Sequence, residues 1–360
     1  MSSFNRGEWS EIYAILCMLV CPELSVGNAD LEEITNKLYK IKKIQIANPN
    51  TDNGIIEYCL NNNCDVEVYY DNELDNLISM LELNENKHRI FDAIQNAPIG
   101  NGAFEIEGIE NILVKLTRGN KIKARSFSKE DLEATVLDKR IGKDASLKYS
   151  IKSSLGSPAT LLNASNHTNF LYSITGLDEK YIDEINSIET RTKLLDRINF
   201  ITSHGGKIKF ERIVDQNLEY NLRMIDTLMP EYLANVLLNS YIKGTKDLKD
   251  LFLTSNQFID EDFALKKLGD LLEGISFGFF PSIKWDGINN VNGGLVIVKN
   301  DGNVIILDLV YYRNEVLKFL IKETKLDSPS SSRYNMLHLE KDLFSDKIFF
   351  TLNLQIRYKE

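Results

Sequence analysis

The stretch from Asp131 to Lys152, DLEATVLDKRIGKDASLKYSIK, constrains the fold more than any other part of the chain. From Leu132 to Leu137 apolar and polar residues alternate, the period of a half-buried strand. A polar turn, DKRIGKDAS, follows with Gly142 inside it, and a second alternating run extends from Leu147 to Lys152. Side chains two apart share one face of a strand. Lys148, Ser150 and Lys152 therefore point one way, and Leu147, Tyr149 and Ile151 the other. Folded as a hairpin, the two runs bring Asp131 and Lys152 to one open end. A carboxylate and a lysine in that arrangement suit metal-assisted attack on a phosphate. The acid binds Mg²⁺, and the amine orients a water or stabilises developing charge. Beyond the hairpin, Gly156 and Ser157-Pro158 predict a short helix, with serine as cap and proline in its first turn.

At 360 residues and 43% hydrophobic content, the chain can bury a large core in one elaborated domain or two. Its net charge of -10, taken alone, argues against a nucleic-acid partner, because neutralising phosphates favours basic surfaces. Placement matters more than the total. Between Arg118 and Lys152 ten basic residues stand against five acidic ones, a local surplus around the hairpin. A solvated, lysine-rich loop accounts for the same composition. The four cysteines, Cys17, Cys21, Cys59 and Cys64, form no CxxC pair, and with four histidines no zinc ligand set is apparent. Cys17 and Cys21 lie one helical turn apart in an apolar helix, which predicts core thiols. No signal peptide is evident and the apolar run at 12–21 is too short to span a bilayer. A cytoplasmic protein with no membrane partner is expected.

Taken in order, residues 7–21 read as a helix that buries Trp9, Ile12, Tyr13, Leu16 and Val20. Glu11 borders that face. By spacing alone it reads first as an ordinary surface glutamate. The runs YKIKKIQIA, GIIEYCL and DVEVYY within 38–70 predict a small antiparallel sheet. Residues 71–95 then read as helix. AFEIEGIENILVKLTRG reads as another, ending at Gly119 and carrying Glu107 and Glu110, and 121–124 as a first core strand. Helical spacing returns at 178–203, 217–242 and 260–277, with Gly205-Gly206 before a strand, KIKFERI. LVIVK and VIILDLVYY flank the Asp301-Gly302 turn of a hairpin. A helix at 314–323, a polar loop and a last strand, KIFFTLNLQIRY, complete the chain. Four regions are expected: 1–100, an N-terminal helix and small β region; 101–175, a catalytic core; 176–285, helical; and 286–360, β-rich.

YSIKSSLGSPATLLNASNHTNF resembles the signature of the HpaII-type restriction endonucleases. The resemblance extends to FNRGEWSEIYAIL, RINFITSHGGKIKFERI, DLVYYRNEVLKFL, LDSPSSSRYN and LNLQIRYK, and so spans essentially the whole chain. That family is similar to the wider PD-(D/E)xK nucleases. The implied fold is α+β or α/β: a central mixed sheet of that type flanked by helices, with additional helical and C-terminal β regions. The implied activity is Mg²⁺-dependent cleavage of double-stranded DNA at a short palindrome, CCGG for the founding member. Asp131 takes the place of the first acid, preceded by Glu130 instead of proline, and Lys152 that of the lysine. Ser150 stands where the second acid would be, so the chain reads S-x-K. The resemblance implies a metal held by Asp131, a backbone carbonyl near Ile151 and a helix glutamate, Glu11 in first place and Glu110 in second. No acid occurs between Lys152 and Asp178 to serve instead.

Candidate DNA contacts are Lys139, Arg140 and Lys143 in the basic turn, Ser153 beyond the lysine, and the amides Asn163, Asn166 and Asn169 beside Ser165 and Thr168. Arg313 and Arg333, with Arg357, are candidate base readers, since arginine pairs bidentately with guanine. Caps and turn formers explain the amides as well, and salt bridges the arginines. Two other functions remain open. Ser150 in place of an acid fits a sequence-specific DNA-binding protein that does not cleave. A Ser150/Lys152 hydrolase lacks an evident oxyanion arrangement. A palindromic target implies a homodimer on DNA. A cognate DNA methyltransferase is expected in the same system, though not as a physical partner.

Overall fold

The first helix, α1 (Arg6–Val20), starts where its sequence allows a reciprocal cap. Glu8 N donates to Asn5 Oδ1 at 3.0 Å while Asn5 N donates to Glu8 Oε2 at 2.9 Å. The helix is buried on more than the expected face: Ser10, Ala14, Ile15, Met18 and Leu19 are also covered. The computed structural model describes residues 2–48, 50, 54–61, 65–97, 102–122, 128–156, 158–342 and 347–359 (side chains of 35–37 excepted). They fall into two units, Met1–Ala159 with Asn289–Phe319, and Thr160–Ile288 with Leu320–Lys359. This division crosses the four consecutive regions read from sequence, because strand pairings far apart in the chain tie 294–308 to the hairpin.

After α1 the first unit runs through β1 (Glu23–Gly27), β2 (Glu33–Ala47), β3 (Ile55–Leu60), β4 (Val66–Tyr70) and β5 (Glu73–Ile78). Helices α2 (Met80–Asn96) and α3 (Glu110–Thr117) precede the hairpin strands β6 (Leu132–Asp138) and β7 (Lys143–Ser153). The second unit takes β8 (Thr160–Leu162), β9 (Asn169–Thr175), α4 (Ile182–Asn186), α5 (Lys193–Ser203) and β10 (Lys207–Ile213). It continues with α6 (Gln216–Ile225), α7 (Met229–Lys243), α8 (Leu248–Leu253) and α9 (Glu261–Glu273). The chain returns to the first unit for β11 (Gly294–Val298) and β12 (Val304–Asp308), and α10 (Arg313–Glu323) carries residues of both. The second unit closes with β13 (Thr324–Leu326), β14 (Glu340–Lys341), β15 (Ile348–Asn353) and β16 (Ile356–Tyr358).

Among the described residues the first unit holds one nine-stranded mixed sheet, ordered β1-β12-β11-β7-β6-β2-β3-β4-β5. Strand β1 also pairs with the first half of β2, so β1, β12, β11, β7, β6 and β2 form a closed circuit of pairings. The antiparallel strands expected at 38–70 are thus one limb of this sheet and not a separate small one. Strand β5 replaces the beginning of the helix expected at 71–95. Asp71 and Asn72 both have positive φ, the two-residue turn that closes a hairpin, and Ser79 then caps α2. Helix α3 begins only at Glu110. Lys121 and Ile122 are not strand, and 123–124 lie outside the described residues; the strand beside β6 is β2. Ser157 also lies outside them, and after Pro158 the chain enters β8 instead of the expected helix. Cys17 is half-buried and packs against the core, whereas Cys21 is exposed and is not the core thiol that helical spacing predicts.

In the second unit β10-β9-β15-β14 form one sheet and β13-β16-β8 another, so the last apolar run divides between two sheets. Tyr172 is buried in this unit and donates to the Ala234 carbonyl at 2.7 Å. No helix is long and apolar enough to cross a membrane among the described residues.

Candidate active site

Strands β6 and β7 pair in the register Leu132↔Tyr149 through Asp138↔Lys143. The alternation holds: Leu147, Tyr149 and Ile151 are buried in the core. Asp131 sits one residue ahead of β6, with its N–H donating to the Tyr149 carbonyl at 2.9 Å. Its Oδ2 accepts from Ile151 N at 2.6 Å and from Ser150 Oγ at 3.0 Å. Lys152 Nζ donates to Ser150 Oγ at 2.9 Å. The buried serine therefore links acid and amine: its hydroxyl gives a proton to one and takes one from the other. Both bonds fall on Oδ2, leaving Oδ1 as the carboxylate's second donor atom. In a strand the N–H and C=O of one residue leave by the same edge. The Ile151 carbonyl consequently lies on the side of Asp131.

Helix α1 supplies Glu11 to the same place. Burial pushes its carboxyl up to about 8, the negative charge of Asp131 pushes in the same direction, and Lys152 opposes. Glu11, of the three glutamates considered from sequence, lies within electrostatic reach of Asp131 and Lys152. Glu110 opens α3. Glu107 is exposed.

Two residues that sequence reasoning passed over belong here. Burial pulls the Lys129 amine down to about 8, with the charge of Lys152 adding and that of Asp131 opposing. Glu130 is buried, 3.7 Å from Lys148, and its Oε2 has no hydrogen-bond partner. The visible signal was the triplet Lys129-Glu130-Asp131: three charges where a strand enters a core. A raised carboxyl and a lowered amine that both feel Asp131 and Lys152 are found more often at a site than on a plain surface.

The donor set is compatible with a divalent cation. Among the described residues no group of three or more His, Cys, Asp or Glu side chains could hold a metal. Two carboxylates and a carbonyl remain, all oxygen donors. Mg²⁺ characteristically takes one or two carboxylates and keeps several waters. The pressure that Asp131 exerts on Glu11 would be relieved by a cation held by both.

The expected DNA contacts are dispersed. Lys139, Arg140 and Lys143 lie at the opposite end of the hairpin, about 20 Å of strand from Asp131. Lys139 pairs with Glu23 at 2.8 Å, Lys143 is exposed, and the Arg140 guanidinium lies 4.4 Å from the Tyr311 ring centroid and 5.3 Å from that of Tyr312. Ser153 follows Lys152 and accepts from Leu155 N at 3.0 Å. Arg313 opens α10 in the first unit and is exposed. The remaining candidates belong to the second unit. Asn163 and Asn166 are exposed there, whereas the Asn169 side chain accepts from Asn353 Nδ2 at 2.7 Å. Ser165 and Thr168 cap the turn Asn166–Thr168, the plainer of their two readings. Arg333 lies in an exposed turn with its guanidinium 5.5 Å from the Tyr334 ring centroid, and Arg357 pairs with Asp327 at 3.3 Å.

With this geometry in hand, residues 5–358 match the family model described as HpaII restriction endonuclease. The chain is also 34% identical to the type II restriction enzyme HpaII of Haemophilus parainfluenzae, over 99% of this chain and 98% of that protein. No solved structure matches it.

Proposed function

The chain belongs to the HpaII restriction endonuclease family and is a type II site-specific endonuclease; on that premise we propose that it hydrolyses duplex DNA at the palindrome CCGG with Mg²⁺ as cofactor. The observation that carries the reading is the Asp131–Ser150–Lys152 hydrogen-bond chain with the Glu11 carboxyl raised beside it. In this reading the site is a PD-(D/E)xK-type centre in which α1 supplies the acid absent from position 150. Asp131, Glu11 and the Ile151 carbonyl would hold the metal. Bound there, a divalent cation would polarise the phosphoryl oxygen and acidify a coordinated water.

The remaining roles fall to the chain's own groups. Lys152 holds the attacking water in line and offsets charge that develops on the phosphate. Ser150 fixes the amine of Lys152 and orients Asp131, whose Oδ1 would then be available to a cation. Lys139, Arg140 and Lys143 contact phosphates, as does Ser153, and Asn163, Asn166, Asn169, Arg313 and Arg333 supply further DNA contacts. Two copies related by a two-fold axis cut both strands of the palindrome. The plain test is to digest a long DNA of known sequence with and without Mg²⁺ and sequence the ends. Ends confined to CCGG support the reading. Mg²⁺-dependent ends at another short palindrome would refute the specificity alone. Retention of DNA at specific sites with no ends would favour the non-cleaving alternative.

A further inference from the structure

Immediately beyond the cleavage centre, a cavity of about 280 Å³ opens between the start of α1 and the end of β7. Arg6, Gln95, Ser154, Gly156 and Asn300 line it. Helix α1 and the end of β7 also build the centre, while the end of α2 and the loop between β11 and β12 complete the cavity. Helix α1 carries Arg6 to the cavity and Glu11 to the metal position; β7 ends in Lys152 and Ser153, and Ser154 follows. Gly156 fits tightly here. A Cβ on it would stand 3.1 Å from Arg6 Cβ, closer than ordinary van der Waals contact, so glycine lets the arginine stem pass along the backbone. The guanidinium is held by a hydrogen bond from Nη2 to the Ala97 carbonyl, and Gln95 Nε2 donates to the Asn300 carbonyl at 3.0 Å. An arginine positioned in this way, beside a serine hydroxyl, matches a phosphate, which accepts several charge-assisted bonds from a planar fork.

Resting on the endonuclease reading, we infer that this cavity receives a non-scissile phosphodiester of the strand being cut, with Arg6 and Ser154 as its positioning residues. The spacing fits. Five residues of helix advance about 7.5 Å, and a DNA strand carries a phosphate for roughly every 3.4 Å of axial rise. Because the strand also winds about the axis, successive phosphates stand farther apart than that rise, and the occupied phosphate is about one or two nucleotides from the scissile one. Holding it fixes the sliding coordinate of the strand relative to Lys152, which is how a binding group remote from chemistry raises the rate of an in-line attack.

The test pairs protein and DNA changes. Duplexes containing the target receive a neutral methylphosphonate at single positions from one to four nucleotides on either side of the cut. Wild type, Arg6→Gln and Ser154→Ala are compared for metal-free binding by fluorescence anisotropy and for single-turnover cleavage. Thermal melts of each variant monitor the fold. One methylphosphonate should weaken wild-type binding by about 10- to 100-fold, the scale for one bond to a charged group, and should have little further effect on Arg6→Gln. Ser154→Ala should show a smaller loss at the same position. Equal losses from every methylphosphonate in wild type and Arg6→Gln would overturn the inference while leaving cleavage, and the function reading, intact. A wild type that neither binds nor cuts DNA would overturn both. If Arg6→Gln melts early, the Ser154→Ala coupling decides alone: position-specific coupling supports the cavity, and its absence rejects it.

Discussion

The two ends of the β6–β7 hairpin contain similar chemistry in opposite condition. At one end Asp131, Ser150 and Lys152 are linked, yet Glu11 and Lys129 beside them are both displaced to about 8 by burial. At the other, buried Asp138 accepts from Tyr311 Oη at 2.6 Å and from Arg140 N at 2.9 Å. Buried Asp308 nearby accepts from Tyr39 Oη at 2.8 Å and Tyr311 N at 2.7 Å. That end satisfies its acids with hydroxyls and amides and stacks its arginine on tyrosines. The first end gathers like charges and an orphaned Glu130 oxygen. A network that closes on itself holds a fold. One that leaves acids pressed together awaits a ligand.

This contrast breaks most visibly at its two aspartates. Asp131→Asn should abolish cleavage, leaving target binding and the melting curve close to wild type. Asp138→Asn should do the reverse, costing about 1–3 kcal/mol of stability through unpaired buried groups while cutting persists. Denaturant titration and single-turnover assays on both proteins would show whether the assignment holds or should be exchanged. Next in size, Lys152→Ala should slow the chemical step by at least about 100-fold. A similar loss from Lys129→Ala would mean that the two amines share the task.

Glu11 sharpens the comparison through pH. Its folded value of about 8 lies above its ordinary 4.5. Below 4.5 the carboxyl is protonated in both states. Between 4.5 and 8 the folded chain keeps a proton that the unfolded chain releases, so this contribution to stability is lost as pH rises through that window. Glu11→Gln should flatten the decline, and Mg²⁺ should reverse it in wild type by taking the proton's place. Metal affinity in Glu11→Gln should fall by at least about tenfold. Urea titrations at pH 5 and pH 8, with and without Mg²⁺, read this directly.

Much of this was legible in the chain itself. The period of two in 132–137 and 147–152 was enough for the hairpin, its faces and the meeting of Asp131 and Lys152 at one open end. Glu11 was readable only as a border residue, because helical spacing shows which side of α1 is apolar and not what lies across from it. Lys129 and Glu130 escaped because the charged triplet marks where the strand begins but not that it is covered, which depends on elements distant in the chain. The Asp71-Asn72 turn was present in the sequence, but the helical run that follows it outweighed a two-residue signal. The closure of the circuit depends on β1 pairing with β12, Val26 against Ile306, across most of the chain, and no periodicity records that.

The smallest effect concerns the basic turn. Replacing Lys139, Arg140 and Lys143 together should flatten the dependence of log affinity on log salt by roughly two to three units. It should weaken target and non-target duplexes alike, since phosphate contacts carry no sequence information. The Lys139–Glu23 pair is exposed and exchanges readily for a phosphate. An unchanged slope would make this end of the hairpin structural throughout.

The central claim is that the Asp131 end is a metal-dependent cleavage centre, and one titration bears on it most directly. Mg²⁺ is added to the preformed complex of protein and a duplex carrying a single CCGG, and cleavage of each strand is timed for wild type and Asp131→Asn. Rates that rise from zero and saturate in wild type, and stay at zero in the variant, are the predicted result. Cleavage without added metal, or an Asp131→Asn curve that follows wild type, would contradict it.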